Sequence, residues 1–202
     1  MYSFIKRLID IVFVVFGLLL LVPISFVIKI SFLCFGDTGK ILYKQKRVGK
    51  DGKPFLIYKY RSMIHNADEM LEQMLNVKRY REEWDENQKI ENDPRITKVG
   101  KFLRKSSLDE LPQILNVLKG DMTLVGPRPL VEGELESHGG SKIYWKVKPG
   151  VTGWWACHGR SDIDYSERLE MEYYYIQHQS IKLDLICICK TVIAVMSHKG
   201  AV

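Results

Sequence analysis

Residues 11–28 read IVFVVFGLLLLVPISFVI, eighteen positions without a charged side chain. A helix of that length reaches about 27 Å, just short of the roughly 30 Å hydrocarbon core of a bilayer. Lys6 and Arg7 precede the run, and Lys29, Lys40, Lys44, Lys46 and Arg47 follow it, so the positive-inside rule puts both ends on one side. Pro23 lies within the run, where it removes a backbone donor and bends or breaks a helix. A re-entrant helix broken at Pro23, entering and leaving one leaflet, satisfies both charge clusters. A single-pass anchor and a signal peptide are the alternatives on hydropathy alone, and no small-residue cleavage site follows the run. The sequence is thus a membrane-seeking end on a polar body.

The body sets its own bounds. A chain of 202 residues, 46% hydrophobic and 27% charged, has the makings of one globular domain; collagen-like, disordered and disulfide-scaffold classes are excluded. Cys34, Cys157, Cys187 and Cys189 show neither a paired framework nor zinc spacing, which suits buried inert thiols in a reducing, cytoplasmic body. The five histidines are scattered without metal-ligand spacing.

Lys40 to Arg61 reads KILYKQKRVGKDGKPFLIYKYR, two apolar-interleaved runs around Gly49-Lys50-Asp51-Gly52, and predicts a β-hairpin. Its eight basic residues against one acid give a local +7, more than the +6 of the whole chain. Beside a membrane segment this charge suits anionic lipid headgroups. A nucleic-acid patch with interleaved aromatics is the competing reading, and a pI near 9.0 is its main support. Ile64 to Trp84 carries apolar residues at helical spacing and predicts one amphipathic helix. Asn92-Asp93-Pro94 signals a turn, and Ile181 to Met196 predicts a helix lying against core or membrane interface.

Phe102 to Leu130, FLRKSSLDELPQILNVLKGDMTLVGPRPL, concentrates the chemistry. One reading is structural: Ser107-x-x-Glu110 as a capping box, Pro112 marking a helix start and Gly120 its end. The functional reading uses what a cap does not need. Arg104 and Lys105 stand before Asp109 and Glu110, and a guanidinium beside a helix start attracts phosphate. Adjacent carboxylates repel a phosphate unless a cation intervenes, and Mg2+ fits, being held by one or two carboxylates with phosphate and water. One carboxylate can then ligate the metal while its neighbour attacks phosphorus. Gly126-Pro127-Arg128-Pro129 presents Arg128 on a stiff turn, suited to a phosphate contact.

The ordered blocks KRLID, KQKRVGKDGKPF, IYKYRSM, NDPRITKVGKFLRKSSLDELPQ, NVLKGDM, VGPRP, KPGVTGW and HGRSD resemble the bacterial sugar transferase family, the monotopic phosphoglycosyl transferases, over nearly the whole chain. The resemblance implies transfer of a sugar 1-phosphate from a UDP-sugar to undecaprenyl phosphate with release of UMP, at the cytoplasmic face of the plasma membrane. Such a step initiates a surface glycan such as exopolysaccharide, lipopolysaccharide O-antigen or capsule. By motif it makes Asp109 the nucleophile, Glu110 its Mg2+-associated partner, Arg104 and Arg128 phosphate contacts, and Pro23 the break in the membrane helix. Val22 stands where the family usually has Ser. Arg160 matches a residue that contacts the nucleotide-sugar, within GWWACHGRSD, a stretch that departs from the family's usual sequence. The GRSDIDYSERLEMEYYYIQH block favours a galactose or glucose donor, an N-acetylated sugar being the alternative; a non-enzymatic lipid-phosphate-binding adaptor is the alternative of another class. The expected architecture is α+β, a mostly helical single catalytic domain (37–202) with a small hairpin and an interfacial C-terminal helix, behind a re-entrant membrane helix (1–36). The resemblance implies a minimal catalytic form, with membrane lipids as expected partners, no nucleic acid, and self-association left open.

Overall fold

The computed structural model describes residues 1–87, 90–158 and 163–196. Helix α1 (Tyr2–Cys34) is followed by strands β1 (Leu42–Val48) and β2 (Pro54–Tyr60). Helices α2 (Ala67–Met74), α3 (Lys78–Asn87) and α4 (Lys98–Lys105) lead to a 3-10 segment (Leu108–Gln113) and α5 (Ile114–Lys119). Then come β3 (Thr123–Val125), α6 (Glu134–Ser137), β4 (Gly150–Thr152), α7 (Tyr165–Gln177) and α8 (Ile181–Met196). The α+β expectation holds.

The hairpin forms as the turn residues dictate. Leu42 pairs with Tyr60 and Val48 with Pro54, and the connection is relaxed by Asp51 and Gly52, both at positive φ (58° and 74°). Gly120, at φ 87°, ends α5 as expected, and α8 spans the expected segment. A second, parallel pair joins Thr123 to Gly150 and Val125 to Thr152. Strands of three residues are too short to show an alternation in sequence.

Two local expectations are overturned. Ile64 to Trp84 is not one helix: α2 ends at Met74, and Asn76 and Val77 bond back to Gln73 and Met74 before α3 begins. The apolar spacing stops at Leu75, and KRYREEWDEN offers only Tyr80 and Trp84 as large apolar side chains, too few to continue the stripe of α2. The capping box also fails. Ser107 sits in the left-handed region at φ 56°, and its side chain makes no cap bond among the described residues. Among the thiols, Cys187 is buried, while Cys34 and Cys189 are exposed.

Helix α1 is not an appendage. Asp10, Val14, Gly17, Ile28 and Phe32 are buried, with Leu21 and Ile24 packed on the same side, a stripe of three- and four-residue steps. Val14, Leu18 and Leu21 share a core with Ile57, Ile114, Val117 and Met122, and Ile28 and Phe32 share another with Tyr60 and Leu103. Polar ties reinforce both ends. Lys6 Nζ donates to the Val125 carbonyl and pairs with Asp184 (both 2.8 Å), Asp10 accepts from Leu124 N–H (2.9 Å) and the Thr123 hydroxyl, and Lys29 Nζ reaches the Gly39 carbonyl (3.0 Å).

Pro23 lies inside α1, and the helix does not terminate there. The missing N–H leaves the Leu19 carbonyl without its helical donor. Two residues on, Ser25 Oγ donates to the Leu21 carbonyl (2.6 Å) and meets the Tyr60 hydroxyl (2.5 Å). Such back-bonding by a serine favours helix bending.

The parallel pair is held by close backbone approach. A Cβ on Gly150 would lie 2.1 Å from Gly126 N and 2.3 Å from the Thr152 carbonyl, both backbone atoms. Gly150→Ala is therefore expected to cost at least about 2–3 kcal/mol, read as a lower melting temperature and loosening of the neighbouring Gly126–Pro129 turn. A melting temperature within a degree of the parent's would show that the strands part freely.

Candidate active site

The acidic pair is placed by a reversal of the chain. Helix α4 starts at Thr97, whose side chain accepts from Gly100 N–H (2.9 Å), and ends at Lys105, leaving Arg104 on its last turn. The left-handed Ser107 then turns the backbone so that Leu108–Gln113 packs back against α4 and β2. Asn116, fully buried, fixes the register: its amide donates to the Leu56 carbonyl (2.7 Å) and accepts from Tyr58 N–H (3.0 Å). The side chain thus fills a ladder position on the open edge of β2 and holds Asp109 and Glu110 over the strand.

Around that turn the charges converge. Glu110 pairs with Lys59 of β2 at 2.9 Å, and Arg104 Nε donates to Ser62 Oγ at 3.0 Å. Burial, and then the charge of Glu110, push the Asp109 carboxyl up to about 6, while Lys59 and Arg104 pull the other way. Burial lowers the Arg104 guanidinium, with Asp109 and Asp93 opposing it. Asp93 is itself committed to Arg95 in a buried pair of 2.6 Å. Asp109 is thus a carboxylate short of compensating positive charge, beside a second carboxylate. That donor set fits Mg2+, which takes oxygen ligands from one or two carboxylates and completes its shell with phosphate and water. Among the described residues no group of three or more His, Cys, Asp and Glu side chains converges.

From Glu110 and Lys59 a cleft runs to Arg128 and Trp155. Arg128 is presented as its prolines suggest. Its N–H donates to Glu172 Oε1 (3.0 Å), its carbonyl accepts from the Tyr144 hydroxyl (2.9 Å), and its guanidinium lies 5.7 Å from the Trp155 ring centroid. Arg47 lines the same cleft and donates to the Pro129 carbonyl (3.1 Å). Burial, and then the charge of Arg128, lower its guanidinium. Two neighbouring cations that disfavour one another make this end of the cleft a site for anionic oxygen.

The structure gathers Asp109, Glu110, Arg104 and Arg128 around one continuous depression. Arg160 lies outside the described residues. The sequence reading missed Arg47 and Lys59, assigning the whole basic hairpin to lipid. In the fold only part of that charge faces outward: Lys44, Lys46, Lys50 and Lys53 are exposed, whereas Arg47 and Lys59 turn into the cleft and Arg61 is buried against Asp37 (2.7 Å). Strand alternation around residues 45–47 and 57–59 was the available signal. Glu172 and Arg168 were also missed. They share with Leu169, Tyr175 and Ile176 a buried stripe of α7 at helical spacing, so the apolar members marked their face.

A family model described as bacterial sugar transferase matches residues 1–198. The UDP-galactose-lipid carrier transferase of Erwinia amylovora is 44% identical over 98% of this chain and 42% of its own length. The exopolysaccharide production protein ExoY of Sinorhizobium fredii is 40% identical, over 97% of this chain and 87% of its own. The UDP-glucose:undecaprenyl-phosphate glucose-1-phosphate transferase of Escherichia coli is 37% identical over 97% of this chain and 41% of its own. The chain thus spans under half the length of two of these relatives and most of the third.

Proposed function

This chain belongs to the bacterial sugar transferase family, and from that membership we propose that it transfers a hexose 1-phosphate from a UDP-sugar to undecaprenyl phosphate. The observation that carries the reading is the Asp109–Glu110 turn: a part-buried carboxylate pair bracketed by Lys59 and Arg104, opening on a cleft whose far end holds Arg47 and Arg128. Relatives named for galactose and glucose transfer favour a hexose donor.

In the proposed reaction a carboxylate oxygen of Asp109 attacks the phosphorus bearing the sugar. The bond from that phosphorus to the bridging oxygen breaks, and UMP leaves with the electron pair. An oxygen of undecaprenyl phosphate then attacks the same phosphorus, breaking the bond to Asp109 and restoring its carboxylate. The two substrates visit in turn, which gives ping-pong kinetics. Asp109 and Glu110 would hold Mg2+, whose charge offsets that of the transferring phosphoryl group. Arg104, Arg47 and Arg128 supply the fixed positive charge around the phosphates, the main electrostatic task in phosphoryl transfer. Lys59 holds Glu110 in place.

Helix α1 is the one described helix long and apolar enough to cross a membrane. Its polar ties and buried stripe, from Asp10 to Phe32, lie on the same body over their whole length. That supports a helix lying within one leaflet, at the cytoplasmic face, where a lipid-borne phosphate and a water-borne nucleotide meet.

The test is intact mass of detergent-purified protein incubated with Mg2+ and a panel of UDP-sugars, N-acetylated ones included, without polyprenyl phosphate. The expected result is a gain of one hexose phosphate with a galactose or glucose donor, absent in Asp109→Asn. No adduct and no UMP release after adding polyprenyl phosphate, with any donor, would overturn the reading.

A further inference from the structure

Buried polar atoms in native proteins are nearly always paired, so those that are not mark places where something else binds. Among the described residues four buried side-chain atoms have no partner: Arg47 Nε, Trp155 Nε1, Arg168 Nε and Glu172 Oε2. Three of them lie around the Gly126–Pro129 turn, and Arg168 stacks beside the third, Trp155. Arg47 bonds the Pro129 carbonyl, Glu172 bonds Arg128 N–H, and Trp155 has the guanidinium groups of Arg128 and Arg168 at 5.7 and 5.3 Å from its ring centroid. Arg47, Trp155 and Glu172 line the cleft that also contains Glu110 and Lys59.

The set has a chemical signature. Three orphans are donors, and one, Glu172 Oε2, is an acceptor. Glu172 is 1% exposed, and its other oxygen is already committed to the Arg128 backbone. Phosphate oxygens can only accept, so they answer the arginines but not the carboxylate. A hydroxyl both donates and accepts, and a neutral polyol answers the three that line the cleft, Arg47, Trp155 and Glu172. A Cβ at Gly153 would lie 2.2 Å from the Gly126 carbonyl, so glycine there lets the two backbones approach closely beside Glu172.

We propose that the hexose ring of the donor occupies the cleft between Glu110 and Trp155, with Glu172 accepting a hydrogen bond from one ring hydroxyl and Trp155 Nε1 donating to a ring oxygen, which makes these two residues specificity determinants. The proposal rests on the transfer reaction set out above and adds to it the subsite that reads the sugar. Glu172 touches the substrate and not the reacting phosphorus, so its effect falls on choice among donors.

The experiment compares the full chain with Glu172→Gln, which keeps the shape and the oxygen facing Arg128 N–H. The donors are the best UDP-hexose and its 2-, 3-, 4- and 6-deoxy analogues, with UMP release measured in the presence of Mg2+ and a short polyprenyl phosphate. For the parent protein, removing one particular hydroxyl is expected to lower kcat/KM about 100-fold, since it strands a buried acceptor. In Glu172→Gln the intact hexose is expected to lose a similar factor, chiefly through KM, and the gap between it and that deoxy donor to shrink below about threefold. An unchanged pattern across the deoxy series in Glu172→Gln would overturn the proposal, as would a parent protein indifferent to every deoxy position, the pattern of a cleft filled only by water. A parent that releases no UMP from any donor overturns the transfer reaction itself, a separate result. If Glu172→Gln does not fold, Trp155→Phe run through the same series decides the matter, because it removes the indole N–H while leaving an aromatic ring facing the cleft.

Discussion

Asp109→Asn is expected to lower sugar-phosphate transfer by at least about 10³-fold and, in the same preparation, to raise the melting temperature of the metal-free protein. The first effect follows because an amide oxygen cannot form and release the phosphorus bond as a carboxylate does. The second follows from electrostatics. The folded protein holds the Asp109 proton up to about 6, against an ordinary value of 3.8, because burial and Glu110 both penalise the charge. A carboxyl whose value is raised on folding favours the folded state below about pH 4, and that contribution is lost as pH rises through about 6. At neutral pH the ionised group therefore strains the fold. A two-unit difference corresponds to about 2.7 kcal/mol, reduced by solvent screening of a part-exposed group to about 1–2 kcal/mol, or roughly 2–8 °C. The gap between parent and variant is expected to narrow on adding Mg2+, which neutralises the pair in the parent alone. A variant that melts lower than the parent in chelator, across pH 7 to 8, would refute this account of the site.

In the proposed reaction such a carboxylate is what the chemistry needs, and the sequence carried that message only in part. The pair Asp109–Glu110 and the stiff Arg128 turn were legible, since adjacent acids and a Pro-Arg-Pro run are local features. What joins them is not local. Asn116 finds the edge of β2 across 58 and 60 positions of chain, and Glu172 meets Arg128 N–H across 44. Ser107 looked like a cap by spacing, and its left-handed backbone serves instead to fold the acids back under Arg104. The hairpin was legible because its turn residues and alternation agree. Its inward cations were not, because Arg47 and Lys59 are hydrophilic like the lysines beside them, and only the fold decides which side of a strand faces a cleft. Polarity alone also hides Arg168 and Glu172, two charges on the buried stripe of α7.

Helix α1 poses the opposite problem, since it is apolar on every side and polarity cannot tell the face that packs on the body from the face that meets lipid. The structure separates them. Val14 is 1% exposed, in the core with Ile57 and Ile114, whereas Phe16 and Leu19 are 63% and 69% exposed. Each outward residue of this size contributes about 1.5–3 kcal/mol when it leaves water for hydrocarbon, and a charge there costs about 2.5–3.5 kcal/mol by insertion scales. Phe16→Glu with Leu19→Glu is therefore expected to weaken membrane attachment by about 8–13 kcal/mol while the body keeps its far-ultraviolet spectrum and its cooperative melt. Val14→Glu is expected to do the reverse, collapsing the melt because a lone charge enters the core beneath Ile114. Flotation with liposomes reads the first effect and thermal melting the second. If the double variant floats like the parent, the outward flank is not what holds the protein to the bilayer. If Val14→Glu melts normally, α1 does not share the core of the body, and the case for a helix lying along that body within one leaflet falls with it.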